Sequence, residues 1–516
     1  MFKKTNYILM LTLFINFVNG QGGFKRSITL QNAKVQVSHG IIETNTNNYL
    51  HVGLVIDTLN GYQSSKLCVT GLNYNGQVQW IKKYGNHKFE FTDHPLKFEY
   101  LKKFDNTFLY SSTFIDSTNA LVGCLIKLSA LGDTIWLKKY YSNTNPINII
   151  NVTKSYDGGY FLLASLSNTT TGSCLLIIKT NNLGNELWRK EIHKPTTNGP
   201  DHQYGSAIIQ DSISKKIIIV GNQTIGNSTT WAFHSNIVIT DSLGNFLNRL
   251  NYPNNMPGDL KNIIQCKDGK FIAVGNANNS ETYNEYILNY GFIVKFDING
   301  TTPIWLKTFY DEKSILNYYN NVIENPNGNL IISGTEDTAH HKGKAINLLG
   351  KIAWLDKNGN RINKKNYQYT PTNTLNFLYY HYSFNKTHDD NFISCYFVDG
   401  INPRKFFIVK YDSLGCDTTA AYCATVGFKN QSYQAIDVSI YPQPAKQFIN
   451  LQSTLFANKK AQVYISNAIG QICYNANVQF NNGNTQLNLA NLPKGIYFLK
   501  LVDEDLRSFT SKIVLE

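Results

Sequence analysis

The sequence predicts an all-β protein: a seven-bladed β-propeller followed by a small antiparallel β-sandwich of the immunoglobulin-like kind. Tyrosine and phenylalanine are abundant, with 32 and 29 residues, and charged residues make up only 16% of the chain. This composition favours half-buried strands, which accept aromatic residues readily, over solvated helices, which carry more charge. A hairpin motif recurs through the middle of the chain, and short apolar runs separated by turns continue to the C-terminus.

The N-terminus has the pattern of a secretory signal peptide over residues 1–20. Lys3 and Lys4 precede an apolar run from Tyr7 to Val18, and Gly20 offers a small residue for cleavage. The run is shorter than a bilayer span, and no later stretch is apolar for long enough to cross a membrane. We therefore expect an exported chain with no transmembrane segment.

Residues 21–430 contain a tandem repeat built on a hairpin. Each copy has an apolar run, a four-residue turn that closes on glycine, and a strand with aromatic or basic residues. Asp, Asn or Ser in the first position of the turn can accept a backbone hydrogen bond, and glycine in the fourth position tolerates positive φ. The closing glycines are Gly76, Gly132, Gly184, Gly244, Gly300, Gly359 and Gly415.

The spacing of these turns predicts a closed ring of seven blades. Successive glycines lie 52 to 60 residues apart, which leaves room for four short antiparallel strands in each copy. Because one such sheet cannot bury both of its faces, neighbouring copies should pack face to face around a channel. The seventh copy lacks an outer strand, so we expect residues around 24–30 to complete it and close the ring.

A tryptophan follows four of these glycines at a distance of four or five residues. The four are Trp80, Trp136, Trp188 and Trp305. This pattern resembles the tryptophan-docking repeats of quinoprotein-like and outer-membrane-assembly propellers, and the resemblance implies indoles wedged between blades. Copies four and six have Asn248 and Asn363 instead, so we expect looser contacts there. The quinone of such enzymes binds against adjacent cysteines, which this chain lacks, and we expect no cofactor.

Residues 431–516 contain several short motifs in a fixed order. The motif residues are Tyr441, Pro442, Pro444, Gly470, Leu492, Pro493, Lys494, Gly495, Tyr497 and Lys512. Their order resembles the type A C-terminal sorting domain of the type IX, or Por, secretion system of Bacteroidetes. The resemblance implies recognition by the secretion translocon, removal by sortase-like processing machinery, and a location outside the cell or on the outer-membrane surface.

The eight cysteines predict one disulfide and several buried thiols. Cys416 and Cys423 enclose six residues, and in an oxidising exported context this close pair indicates a disulfide. Cys68, Cys124 and Cys174 lie in apolar runs, where a thiol usually behaves as a small buried hydrophobe. No cysteines form a CxxC pair, which disfavours a zinc site.

Strong catalytic motifs, such as HExxH, GxSxG or a phosphate-binding loop, do not occur in the sequence. The weaker candidates are Asp337, His340 and His341 as metal ligands, Asp297 with Asn299 and Asp356 with Asn358 and Asn360 as calcium loops, and Tyr379, Tyr380, His381 and Tyr382 as a sugar-stacking cluster. An exposed loop, ordinary turn chemistry and packing between blades explain these patterns better.

Two classes of function fit these observations. The first is a non-catalytic binding or adhesion module for a glycan, a protein or a surface, and the alternative is a secreted hydrolase or lyase acting on polysaccharide. A purely structural surface protein is a third, milder interpretation. Exposed aromatic residues without a perturbed acid would favour binding, and paired carboxylates would favour the enzyme. The formal net charge of +13 is spread along the chain, so nucleic acid is not the expected partner, and we expect a monomer.

Overall fold

The computed structural model divides into two compact units, residues 1–424 and 425–516. It describes residues 23–30, 33–44, 48–59, 62–85, 90–92, 101–116, 118, 120–142, 146–168, 172–193, 201–226, 231–252, 257–278, 282–283, 286–314, 317–337, 348–367, 379–398, 405–417, 438–453, 459–467, 472–503 and 508–516. Every regular element within these ranges is a β-strand. The same ranges contain no apolar helix of membrane-spanning length.

The described strands of the first unit form seven antiparallel blades, which we call blades 1 to 7; a short parallel pairing of Ser173 in blade 3 with His202 in blade 4 joins those two blades into one sheet. Strands are numbered within each blade from the ring axis outward. Blade 1 contains Ala33–Glu43, Tyr49–Leu59, Tyr62–Leu72 and Val78–Tyr84; blade 2 contains Leu101–Phe104 with Glu90–Thr92, then Thr107–Ile115, Leu121–Leu128 and Thr134–Tyr140; blade 3 contains Ile147–Lys154, Tyr160–Asn168, Gly172–Thr180 and Glu186–Ile192. Blade 4 contains Asp201–Gln210, Ile217–Gly226, Trp231–Thr240 and Phe246–Leu250; blade 5 contains Gly258–Gln265, Phe271–Ala277, Asn289–Phe296 and Trp305–Ser314, with a small ribbon of Thr282–Tyr283 and Tyr286–Ile287. Blade 6 contains Asn317–Glu324, Leu330–Asp337, Leu348–Leu355 and Arg361–Tyr367; blade 7 contains Tyr379–Lys386, Phe392–Val398, Phe406–Tyr411 and Phe24–Ile28.

The blades form a closed ring, as a seven-bladed propeller requires. The first strand of each blade contacts the first strand of the next, and the first strands of blades 7 and 1 also meet. The first strands are therefore innermost. The N-terminal strand Phe24–Ile28 completes blade 7 by pairing antiparallel with Phe406–Tyr411, with Arg26 opposite Ile408. This pairing covers a strand edge that would otherwise be open to aggregation.

Aromatic side chains of one blade pack on the turn glycine of the next blade. A Cβ atom placed on Gly132 would lie 2.5 Å from the indole of Trp80, so a larger residue does not fit there. The pairs are Phe24 with Gly76, Trp80 with Gly132, Trp136 with Gly184, Trp188 with Gly244, Trp305 with Gly359, and Trp354 with Gly415. The six glycines also have φ between +74° and +79°, which favours glycine independently of the contact.

The junction between blades 4 and 5 lacks this aromatic contact. A Cβ atom on Gly300 would meet nothing nearer than its own turn residue Asp297, at 3.6 Å. Gly300 also lacks the positive φ of the other six turn glycines, and an extra residue follows its turn before the ladder resumes with Trp305 opposite Lys295. At the junction of blades 6 and 7, in contrast, Trp354 of the third strand supplies the contact in place of Asn363.

A second contact joins the end of the first strand of one blade to the preceding blade, at the turn between that blade's first and second strands. The Gln210 carboxamide accepts a hydrogen bond from the Tyr156 amide at 3.0 Å. The equivalent pairs are Gln265 with Ser212 at 2.8 Å, Glu324 with Lys267 at 2.9 Å, and Glu43 with His388 at 2.7 Å. The last pair links blade 7 to blade 1, so a buried side chain also secures the closure of the ring.

Apolar side chains of adjacent blades form shared cores. One cluster combines Leu54 of blade 1, Phe108 of blade 2 and Phe406 of blade 7, all of which are buried. Cys68 and Cys124 belong to the same cluster. The packing of whole sheet faces against one another explains why a chain with so few charges folds as a ring.

The second unit is a small antiparallel β-sandwich. Its described strands form a three-stranded sheet of Ser439–Tyr441, Phe448–Gln452 and Asn484–Asn488, and a four-stranded sheet of Ile472–Gln479, Lys460–Asn467, Gly495–Asp503 and Ser508–Leu515. Both sheets contribute to one core that includes Ile449, Leu451, Val463, Leu499 and Ile513. Alternation along each strand places these residues inward and polar residues outward.

Candidate functional site

Most of the innermost strands have a β-bulge in their pairing with the second strand of the blade. In six described first strands the register shifts by one residue, and the extra residues are His39, Ile150, Ser206, Lys261, Asn320 and Tyr382. Such bulges bend a strand and redirect its side chains, and they are common beside binding sites. The repeat therefore places an irregular position near the axis in six of the seven blades.

Polar side chains are concentrated on these innermost strands. The buried ones include Gln36, Ser38, His39, Asn151, Gln203, Asn262, Asn317, Asn320, Asn321 and Ser383. Several bond across blade junctions: His39 Nδ1 lies 2.8 Å from Tyr110 Oη, and Asn385 Nδ2 donates to the Ile41 carbonyl at 2.8 Å. Because buried polar groups need partners, these bonds fix the blades in register around the axis.

His51 lies on the second strand of blade 1 and contacts Ser38 of the innermost strand. Its imidazole is fully buried, with Nε2 3.1 Å from Ser38 Oγ and its ring edge-on to Phe406 at 4.7 Å. Burial lowers the pKa of His51 to about 3, and the neighbouring His39 adds to the shift. The ring is therefore neutral at physiological pH. Its Nδ1 has no hydrogen-bond partner among the described residues.

An exposed aromatic cluster lies on blade 4, and we call it the aromatic platform: His202, Tyr204 and Phe233. The rings of His202 and Tyr204 stack at 6.1 Å, and Phe233 meets Tyr204 edge-on at 6.0 Å. Tyr204 is 36% exposed and Phe233 is 38% exposed, although both belong to ring strands whose other apolar residues are mostly buried. Exposed and mutually supported aromatic rings are typical of binding surfaces.

The platform faces the junction between blades 4 and 5. Tyr204 lies opposite Asn222, and Asn222 lies opposite Ser235, so these three side chains share one face of the sheet. Ser235 bonds to the Tyr252 carbonyl, and Tyr252 Oη donates to the Thr301 carbonyl of blade 5 at 3.0 Å. The platform therefore lies at the junction that lacks the aromatic–glycine contact.

The platform, its neighbouring strand and the first strand of blade 5 carry polar atoms that have no hydrogen-bond partner among the described residues. His202 Nδ1 and Asn222 Oδ1 are buried and make no hydrogen bond to any described residue. On the first strand of blade 5, Asp259 pairs with Lys261, and their side chains are 16% and 12% exposed. Asp259 Oδ1 also has no described partner. Aromatic faces beside unsatisfied donors and acceptors suit a ligand that presents both apolar C–H surface and hydroxyl groups.

Eight described aspartates are held in their ionised form. Among the described carboxyl groups, those whose pKa departs from the ordinary value are all shifted downward: Asp116, Asp157, Asp211, Asp241, Asp268, Asp297, Asp356 and Asp389. Burial opposes the shift in several of them, but hydrogen bonds outweigh it. A general acid needs a raised pKa instead, so these groups are not suited to that role.

The calcium-like spacings are hairpin turns in the structure. A hydrogen bond from Lys270 lowers the pKa of Asp297, and a hydrogen bond from Asn360 lowers the pKa of Asp356. Asp356 Oδ1 accepts from the amides of Asn358 at 2.9 Å and Asn360 at 2.8 Å. These carboxylates are occupied in stabilising their own turns.

The remaining candidates are only partly within the described residues. Asp337 ends the second strand of blade 6, whereas His340 and His341 lie outside the described ranges. Tyr379, Tyr380, His381 and Tyr382 lie in the first strand of blade 7. Cys416 is buried just after the turn at Gly415, but Cys423 lies outside the described residues, so the disulfide stays a prediction.

The motif residues of the second unit lie at strand ends and in the last hairpin. Tyr441 ends a strand before Pro442 and Pro444, and Leu492, Pro493 and Lys494 precede the strand that begins at Gly495. Tyr497 Oη donates to the Pro493 carbonyl at 2.8 Å, Lys512 lies opposite Phe498, and Gly470 lies outside the described residues.

Residues 439–516 match the family model of the secretion system C-terminal sorting domain. This unit is a sorting domain. The sorting domain marks proteins that are secreted or attached to the cell surface, so the chain is a cargo of the secretion machinery.

Other comparisons are distant. No curated protein matches the chain. Among solved structures, an ulvan lyase of polysaccharide lyase family PL25 is 11% identical with a TM-score of 0.47, covering 75% of this chain and 96% of the lyase. The Synechocystis apocarotenoid oxygenase is 11% identical with a TM-score of 0.40, covering 78% of this chain and 92% of the oxygenase. Likeness at this level says nothing about ligand or reaction.

The aromatic platform is not predictable from the repeat pattern. Tyr204 and Phe233 belong to different strands, and nothing in the local sequence separates them from the many aromatic residues that pack between blades. The one available signal is the missing tryptophan of copy four, at Asn248, which identifies the junction but not the residues.

Proposed function

We propose that the ring is a non-catalytic binding module of a secreted protein, and that its ligand is a glycan. The observation that carries the proposal is the aromatic platform at the junction of blades 4 and 5. Its rings offer apolar faces to the C–H surfaces of a sugar, and the neighbouring polar atoms offer hydrogen bonds to its hydroxyl groups. The downward-shifted carboxyl groups of the described residues also favour binding over acid catalysis.

The test is a glycan array probed with the exported chain, followed by calorimetry on the glycans that bind. Replacing Tyr204 or Phe233 by alanine removes a stacking face, and we expect each change to weaken binding about tenfold or more. The matched control is Phe246→Ala, since Phe246 is 50% exposed on the fourth strand of the same blade and lies outside the platform.

Three outcomes decide between the candidate functions. Loss of affinity in the platform variants with unchanged affinity in the control supports the proposal. Equal loss in all three variants, or no bound glycan at all, contradicts it. Release of shortened sugars from a bound polysaccharide would instead favour a hydrolase or lyase.

A further inference from the structure

Three potential metal ligands converge on blade 3, and none of them is a residue of the proposed glycan site. Cys174 lies near the start of the third strand, Glu191 lies near the end of the fourth strand, and His193 follows that strand. Leu175 and Ile192 form the last pair of the ladder between the third and fourth strands. Cys174 and His193 are the next residues beyond that pair, so they lie side by side. One potential ligand atom from each of the three residues lies within 4.8 Å of the others.

The three side chains differ in exposure in a way that suits an open site. Cys174 is 8% exposed and belongs to an apolar core with Ile147 and Leu166. The side chains of His193 and Glu191 are 62% and 49% exposed, with Nε2 and Oε2 3.2 Å apart. The thiol is therefore the buried member of the cluster, and the imidazole and carboxylate are exposed to solvent.

We propose that Cys174, Glu191 and His193 bind a divalent cation of the zinc class, with water in the fourth position. Thiolate, imidazole and carboxylate are the usual zinc ligands, and zinc is bound in some proteins by three protein ligands with water in the fourth position. Ligand atoms around a tetrahedral zinc ion are about 3.5 Å apart, so a small rearrangement of the cluster suffices to bring all three atoms onto one ion. The two exposed side chains can make that movement without disturbing the core.

Binding requires the thiolate, so the Cys174 proton is released to solvent when the metal–sulfur bond forms. Affinity should therefore rise with pH. No closely spaced pair of cysteines marks this site in the sequence, because its ligands come from two strands that meet only in the folded protein.

The experiment uses the full chain, a phosphine reductant and Co²⁺ as a spectroscopic substitute for zinc. We expect one Co²⁺ per chain and a near-ultraviolet sulfur-to-cobalt charge-transfer band that zinc displaces. Cys174→Ser should abolish the band. His193→Ala and Glu191→Gln should weaken binding by more than about tenfold, since loss of even an indirect contact to a metal typically costs that much.

The controls separate this site from other thiols and from misfolding. Cys124→Ser changes a buried thiol at the third strand of blade 2, and Cys473→Ser changes the exposed cysteine of the sorting domain. Neither change should affect the band. His193 and Glu191 are exposed, so their variants should fold normally. The proposal is wrong if wild type gives no charge-transfer band, if Cys174→Ser keeps the band, or if the His193 and Glu191 variants bind with unchanged affinity.

Discussion

The turn glycines predict a specific difference between two alanine substitutions. Gly132 has φ +77°, and a Cβ atom there would lie 2.5 Å from Trp80. A left-handed conformation costs a non-glycine residue about 1–2 kcal/mol, and overpacking costs about 1–3 kcal/mol more. Gly132→Ala should therefore destabilise the ring by about 2–5 kcal/mol. Gly300→Ala meets nothing closer than 3.6 Å and should change stability by less than about 1 kcal/mol.

Urea unfolding followed by tryptophan fluorescence and by circular dichroism measures this difference. The double variant Gly132→Ala with Trp80→Ala provides a further check, because removing the indole relieves the overlap. The double variant should then be less destabilised than the sum of the two single variants. Equal destabilisation by Gly132→Ala and Gly300→Ala, or strict additivity in the double variant, would refute the packing of indole on glycine.

Three further predictions concern the closure of the ring, the buried His51 and the sorting domain. Glu43→Ala leaves the His388 amide without its hydrogen-bond acceptor and should lower the free energy of unfolding in urea by about 1–3 kcal/mol. An unchanged free energy of unfolding would contradict a role for this bond in closing the ring. The pKa of His51 is about 3 in the folded protein and about 6.5 in the unfolded chain, so between these values only the unfolded chain binds the proton. The free energy of unfolding should therefore fall as pH falls from 6.5 towards 3, by up to about 1.4 kcal/mol per pH unit. His51→Gln should flatten that dependence in pH-resolved unfolding, and an unchanged slope would contradict the assignment. Deleting residues 439–516 should keep the protein within the cell envelope in fractionation experiments, and unaffected export would contradict the role of the tail.

The repeat made the architecture predictable because its signals are local. A turn such as Asp356 to Gly359 combines an acceptor side chain with a glycine, and both properties are set by residue type alone. The completing strand at Phe24–Ile28 was also predictable, since the seventh copy lacks a fourth strand and the N-terminus resembles one. The structure pairs this strand with Phe406–Tyr411.

Features that depend on contacts between distant residues were not predictable. Glu43 and Gln210 are ordinary polar residues in the sequence, and their hydrogen bonds to the preceding blade appear only when the ring is assembled. Trp354 replaces the missing docking residue of copy six from a different strand, which no spacing rule indicates. The cluster of Cys174 and His193 likewise depends on strand pairing rather than on sequence proximity.

Closure of the ring by its N-terminal strand is tested most directly by a cross-link. Ser27 lies opposite Phe407 in the antiparallel pair, whereas Lys25 lies opposite Val409. Under mild oxidation, the double variant Ser27→Cys with Phe407→Cys should form an intramolecular disulfide in the folded monomer, identified by peptide mapping. The register-shifted pair Lys25→Cys with Phe407→Cys should form it far less. Absence of the first cross-link, or its formation only between molecules, would show that the seven blades form an open array.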